Sequence, residues 1–363
     1  MKILEVIPSF EPLGGAENFV FNLALRMKTK GHDVTVVSLY ATENPYVESI
    51  LRQNNIELIH LDKKKGIDLK VGKAFEQVAK ALKSDIIHLH LNTYLACLKT
   101  ILKHGERCIY TIHSVVTENS FGNPNSPRNR LIKRLMKRHY MHPVTISNVV
   151  DDTFKAFFGR IESSVIYNGI DISRYVYRPG KQKKYDFISV GRYDDVKNNL
   201  FMIRCVERLI REGFDVQYIV LGNGKNYDVC KRYCVEHGLS DRIHLPGAVN
   251  NVEEYLSESD CLLLGSHYEG NPLVVNEAIA SGVWVVANRV GGVPDIVNER
   301  NGYLAEAENE EDFVVKMKLF LENRADIVER VIPLNIERNR QSVDLNNACD
   351  QYLELMEKMT EGK

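Results

Sequence analysis

MKILEVIPSFEPLGGAENFVFNLALRMKTKGHDVTVVSLY (1–40) holds a strand, a glycine turn, a helix and a second strand. KILEVIP (2–8) and DVTVVSLY (33–40) are short, β-branched-rich runs with turn residues at their ends. Between them NFVFNLALRMKTKG repeats its apolar residues at helical spacing. Two strands joined by a helix form a βαβ unit, which makes the strands parallel. The same alternation continues along the chain. Further strand candidates are IELIHL (56–61), DIIHLH (85–90), CIYTIH (108–113), PVTIS (143–147), YDFISVG (185–191), VQYIVLG (216–222), RIHLPG (242–247), DCLLLGS (260–266) and VWVVAN (283–288). Their apolar runs are continuous rather than alternating, as in parallel sheets covered by helices on both faces.

A single sheet of all these strands would be unusually wide for 363 residues, and at about 150 residues per domain that length predicts two domains. The break is placed at 171–184, where Pro179, Gly180 and a lysine cluster interrupt the apolar pattern. The reading is therefore a first domain at 1–170, a linker at 171–184 and a second domain at 185–340, with a helix at 341–363. The fold class is α/β, two Rossmann-like doubly wound domains facing a central cleft. Such sheets bind ligands beyond the carboxyl ends of their strands.

Composition narrows the function classes. Hydrophobic residues are 44%, charged residues 26%, and 47 basic side chains face 48 acidic ones. A net charge of -1 argues against a nucleic-acid partner, which requires a basic excess. The start of the chain has no secretory signal pattern, and no apolar run is long enough to span a bilayer. Seven scattered cysteines fit reduced thiols, and the expectation is a cytoplasmic protein.

Several short stretches carry chemistry. Gly14 and Gly15 open the first helix, where bare amides and the helix dipole can hold an anion; a plain βα turn accounts for them equally well. The loop lacks the full dinucleotide fingerprint. Arg192 and Lys197 follow the strand end at Gly191 and suit a diphosphate, although alone they also read as ordinary surface cations. Glu269 and Glu277 stand eight residues apart, one in a loop and one about a turn into a helix starting near Pro272. A carboxylate there can hold a ribose diol, and the amides from Asn271 to Val274 form a helix N-terminus. NRVGGVPDIV adds another glycine loop at the next strand end.

GGAE (14–17), YNGID (167–171), GR…K (191–197), and E-x7-E (269–277) followed by GG (291–292) together resemble the retaining, nucleotide-sugar-dependent glycosyltransferases of group 1, family 4, with the GT-B fold. The resemblance runs the length of the chain in the same order. It implies that Gly15 gives its amide to the donor phosphate and that Arg192 and Lys197 neutralise the diphosphate. It implies further that Glu277 holds the ribose, that Glu269 and His113 contact the transferred sugar, and that the base lies against Gly247 to Val249. Asn271 departs from the aromatic or aliphatic residue common there, which bears on sugar choice; Pro272 and Leu273 complete the donor loop. The C-terminal helix is implied to cross back onto the first domain. Donors are implied to be UDP-sugars, with GDP-mannose the rival, and acceptors to be glycans or lipid-linked glycans of capsule, exopolysaccharide or lipopolysaccharide.

Other clusters remain open. His88 and His90 share a strand face and fit either the acceptor side or the core edge. Cys230, Cys234 and His237 fall at helical spacing, but buried thiols explain them better than a metal. The chain has no Asp-x-Asp, so no metal or other cofactor is expected. The helix read at 127–142 carries Arg130, Lys133, Arg134, Lys137 and Arg138 opposite Leu131, Ile132, Leu135 and Met136. It predicts peripheral contact with the inner face of the cytoplasmic membrane, against the plainer reading of an apolar side packed on its own domain. Arg192 and Lys197 are both expected to be exposed. A sugar-nucleotide epimerase of the same architecture and a non-catalytic transferase-like partner are the rival functions.

Overall fold

The computed structural model describes residues 1–361 except 12, 13, 42, 43, 65 and 67. The chain divides into two compact units, Met1–Gly169 with the stretch from Leu345, and Ile170–Asp344. The first unit is built on β1 (Lys2–Ile7), β2 (Asp33–Ser38), β3 (Glu57–His60), β4 (Ile86–His90), β5 (Cys108–Ile112), β6 (His142–Thr145) and β7 (Ser164–Val165). These form one parallel sheet in the order β3-β2-β1-β4-β5-β6-β7. The second unit carries β8 (Tyr185–Val190), β9 (Tyr218–Leu221), β10 (Ile243–Gly247), β11 (Ser259–Leu264), β12 (Trp284–Asn288) and β13 (Gly302–Ala305). Its order, β10-β9-β8-β11-β12-β13, repeats the doubly wound pattern of the first. Both units are therefore Rossmann-like.

Local chemistry explains the elements. The helix Gly15–Thr29 opens with the Glu17 carboxylate reaching back to accept the Gly14 N–H at 3.1 Å. It buries Phe19, Val20, Leu23, Ala24 and Met27, and places Arg26 and Lys28 at its negative end. In the second unit, adjacent strand residues serve opposite faces of the sheet. Phe187, Tyr218 and Trp284 enter one core; Ile188, Ile219 and Val285 enter the other. A sheet apolar on both faces is why its strands read as continuous runs.

Three boundaries differ from the sequence reading. Residues 171–184 are part of the second unit rather than a linker. Tyr175 is buried with Ile170 in its core, and the Arg340 guanidinium donates to the carbonyls of Ile172 at 2.8 Å and Ala280 at 2.6 Å. Lys181 and Lys183 bond Ser257, so the lysine cluster edges a surface turn and does not mark a domain border. At the other end, Val343 is buried in the second core and the last helix runs Leu345–Glu361, not from 341. That helix belongs to the first unit, where the Tyr352 hydroxyl lies 3.0 Å from Thr111 Oγ1. The sequence reading lacks β7, whose two residues give too little pattern to detect, and β13, whose GYLA has none of the β-branched residues that mark the other strands. All seven cysteines are free and buried.

Candidate functional site

The centre of the second sheet is its switch point. The connection after β8 leaves toward β9 and that after β11 toward β12, so the two loops diverge and open a crevice at the strand ends. Lys197 lies in the first loop and Glu269 in the second. Their side chains meet, with Lys197 Nζ 2.6 Å from Glu269 Oε1. The Ser266 hydroxyl donates to the same oxygen at 2.7 Å. Backbone bonds hold the pair in place: the His267 N–H reaches the Val196 carbonyl at 2.9 Å, and the Lys197 N–H reaches Asp194 Oδ1 at 3.0 Å. Lys197 is thus half-buried against Glu269, not exposed as expected, because a carboxylate across the crevice holds it. Arg192 is exposed, with its Nε 3.3 Å from Asp194 Oδ2.

The glycines after β12 have a steric role. Gly291 sits at φ +48°, and a Cβ there would fall 1.8 Å from the Glu269 carbonyl oxygen. The Gly292 N–H donates to that same carbonyl at 3.1 Å. Only glycine lets this loop press against the backbone of Glu269.

Glu277 lies about one turn into the helix Leu273–Ala280, which begins after Pro272 without a side-chain cap. Its carboxyl is pushed above the usual range by burial, while a hydrogen bond from Tyr175 partly opposes that shift. Burial raises the Tyr175 hydroxyl as well. Asn271 is buried, and its Oδ1 accepts from Asn276 Nδ2 at 3.2 Å. Gly247 ends β10 at φ +91°, its carbonyl accepting the Gly222 N–H at 2.8 Å, and Val249 packs on the second core.

Gly14, Gly15 and His113 belong to the first unit. The Gly14 N–H is already engaged by Glu17, whereas Gly15 is exposed and nothing lies within 4 Å of where its Cβ would be. His113 follows β5, its Nε2 3.0 Å from His90 Nδ1. His88 and His90 are fully buried, so they do not line an acceptor surface. They face Glu5 of β1 instead. Cys230 and Cys234 lie in the second core, and His237 Nδ1 is 2.7 Å from Glu207 Oε1.

The basic segment forms the helix Pro127–Lys137, shorter than expected because β6 begins at His142. Ile132, Leu135 and Met136 are buried in the first core, with Leu131 packed against it. The apolar side is consequently not available to a bilayer. Arg130, Arg134, Lys137 and Arg138 are exposed, and Lys133 is half-buried.

Comparison with known proteins decides the family. Residues 177–335 match the family described as glycosyl transferases group 1, and residues 13–174 match glycosyltransferase family 4. The chain belongs to the group 1 glycosyltransferases. It is 22% identical to the N-acetyl-alpha-D-glucosaminyl L-malate synthase of Bacillus anthracis, over 84% of each chain. It is 27% identical to the Escherichia coli UDP-Gal:alpha-D-GlcNAc-diphosphoundecaprenol alpha-1,3-galactosyltransferase, over 42% of this chain and 43% of that one. Among solved structures, Anabaena HepE in complex with UDP superposes with a TM-score of 0.81 at 20% identity, covering 99% of this chain and 100% of that one. Both domains have the GT-B type of Rossmann-like fold.

In this glycosyltransferase, Arg192, Lys197, Glu269 and Glu277 all come from the two loops at the switch point or the helix that follows. Sequence reasoning missed Tyr175, which fell in the supposed linker, and Ser266, an unremarkable serine after a strand. It also missed Glu5. A carboxylate amid the apolar run KILEVIP was the signal available for that residue.

Proposed function

We propose that this glycosyltransferase moves a hexose-type sugar from a UDP-sugar to an acceptor hydroxyl with retained anomeric configuration, in assembly of a bacterial surface polysaccharide. The Lys197–Glu269 pair at the switch point carries this reading, with Glu277 in the adjoining helix. Arg192 and Lys197 stabilise the charge that develops on the departing diphosphate, helped by the Leu273 and Val274 amides and by Gly15. Glu277 accepts from the ribose hydroxyls, and Gly247 to Val249 contact the base. Glu269 orients the sugar. Its charge is already stabilised by Lys197 and Ser266, which suits a positioning group better than a nucleophile. His113 contacts the sugar from the first unit, and Asn271, Pro272 and Leu273 shape the donor loop. No metal is assigned to the reaction, since the chain carries no Asp-x-Asp stretch.

The UDP bound by HepE and the UDP-Gal named for the E. coli relative support the choice of nucleotide. The diphosphoundecaprenol in that relative's name supports a lipid-linked acceptor. Such an acceptor places the enzyme at the inner face of the cytoplasmic membrane, held there by the exposed cations of the helix Pro127–Lys137 through charge alone. Thermal shift with UDP, GDP and ADP tests the donor, because a ligand bound only by the folded state raises its melting point. UDP should give the largest rise, and a larger rise with GDP would replace the donor. NMR of the product's anomeric signal tests retention, and full activity in EDTA tests metal independence.

A further inference from the structure

Glu5 lies in the middle of β1, fully buried, directly opposite His88 of β4. Its Oε1 is 3.1 Å from His88 Nδ1, and its Oε2 is 2.7 Å from His90 Nε2. From His90 the chain of contacts continues outward, with His90 Nδ1 3.0 Å from His113 Nε2. On the other arm His88 Nε2 is 2.8 Å from Thr111 Oγ1, itself 3.0 Å from the Tyr352 hydroxyl. One carboxylate thus anchors a continuous chain from Tyr352 to His113.

The protons on the His113 arm can be placed. An ionised carboxylate only accepts, so His90 carries its proton on Nε2. Burial drives the His90 imidazole down to about 4 and the His113 imidazole well below its usual value, which leaves both neutral near pH 7. Neutral His90 then offers a lone pair at Nδ1, and His113 must donate to it through Nε2–H. The proton of His113 is thereby committed inward, and its Nδ1 keeps a bare lone pair. That atom is shielded from solvent and has no partner among the described residues. A buried acceptor left unmet is destabilising, so a ligand group that meets it gains accordingly.

We propose that Glu5 and His90 are positioning residues that lock His113 as the Nε2–H tautomer, so that its Nδ1 accepts a hydrogen bond from a hydroxyl of the bound sugar donor or acceptor. The hydroxyl ligand rests on the transferase reading above; the tautomer does not. Glu5, His88 and His90 also bring ligand atoms within 4.8 Å of one another, a spacing that a metal ion could use. A metal there would displace the two imidazole protons that bind the carboxylate, so metal content bears directly on the proposal.

The test uses the full chain labelled with [15N]histidine, with His113 assigned by comparison with His113→Gln. Long-range proton–nitrogen spectra at pH 7 should show the Nε2–H tautomer in the parent. Glu5→Gln and His90→Gln should turn that signal into a mixture of tautomers, and His88→Gln, which cuts only the other arm, should leave it unchanged. With a UDP-sugar and acceptor, the first two variants should lose roughly tenfold or more in kcat with donor KM within about twofold, while His88→Gln keeps the parent rate. Deoxy donors and deoxy acceptors then show which hydroxyl is bound, since the loss on Glu5→Gln should vanish for the analogue lacking it. If Glu5→Gln folds poorly by circular dichroism, His90→Gln carries the same test from the other end. An Nδ1–H or doubly protonated His113, a tautomer unchanged in both variants, or stoichiometric metal at the cluster would overturn the proposal. An inactive parent that shows the expected tautomer would overturn the transferase reading and support the assignment of protons.

Discussion

Glu269 and Lys197 neutralise each other across the crevice, and this changes what their removal does. Lys197→Ala leaves Glu269 without its cation in a largely enclosed place, so it should lower both turnover, by on the order of a hundredfold, and stability, by about 1–3 kcal/mol. Arg192→Ala should lower turnover by a similar factor without affecting the melting temperature, because its guanidinium is 68% exposed. Equal melting temperatures for the two variants would show that the pair does not hold the loops. Glu277 behaves in the opposite sense. Its raised pKa means that burying the ionised form costs stability as pH rises above the ordinary carboxylate range. Glu277→Gln removes that cost and can still accept from Tyr175. It should therefore melt no lower than the parent at pH 7 while binding nucleotide about 1.5 to 3 kcal/mol more weakly by calorimetry. At this scale the sequence showed the charged residues through their spacing and hid their partners. Tyr175 and Ser266 act through contacts distant in the chain, and nothing about their immediate neighbours marks them.

At the level of elements, the central strands were legible because their apolar runs are buried on both faces and bounded by turn residues. Where the element is as short as β7, the pattern fails. The helix Pro127–Lys137 shows a subtler limit. Its amphipathic spacing was plain, but spacing cannot say whether the apolar side faces a bilayer or its own domain. The structure decides for the domain, since Ile132, Leu135 and Met136 are buried in the first core. Any membrane contact by this helix is then purely electrostatic. Co-sedimentation with anionic liposomes should fall with added salt, as each surface charge contributes roughly 1 kcal/mol and is screened. Changing Arg130, Arg134, Lys137 and Arg138 to Ser should abolish it while nucleotide binding survives. Binding that persists at high salt, or is equal in both forms, would remove this helix from any membrane contact.

The buried histidines of the first unit give the whole molecule a response to acid. Both doubly wound domains could be read from βαβ alternation, yet the buried Glu5–His90–His113 chain inside the first could not, because it joins three strands far apart in sequence. Its titration runs in one direction. Burial and its neighbours hold His90 at about 4 and His113 well below the usual imidazole value, and burial also lowers His142 and His32. Burial alone would raise Glu5, but His88 and His90 together bring it down to about 2. The groups facing this cluster from the other elements are Thr111 and Tyr352, and neither is charged at neutral or acid pH. For every one of these depressed groups the unfolded chain binds protons that the folded chain refuses. As pH falls below about 6.5 the unfolded chain takes up protons first on the histidines and then, below 4.5, on the Glu5 carboxylate, and the folded chain loses stability at each step. A histidine moved from its usual value to about 4 costs the folded state roughly 3 kcal/mol as pH falls across that window. The melting temperature of the intact chain should hold from pH 8 to 7 and then decline by several degrees between pH 6.5 and 4. A His90→Gln, His113→Gln double variant starts lower at pH 7 but lacks two of the groups that must take up protons, so its decline should be distinctly shallower. Parallel declines in the two proteins would mean that both histidines accept protons in the folded state, and the buried carboxylate would then be shared between charged rings.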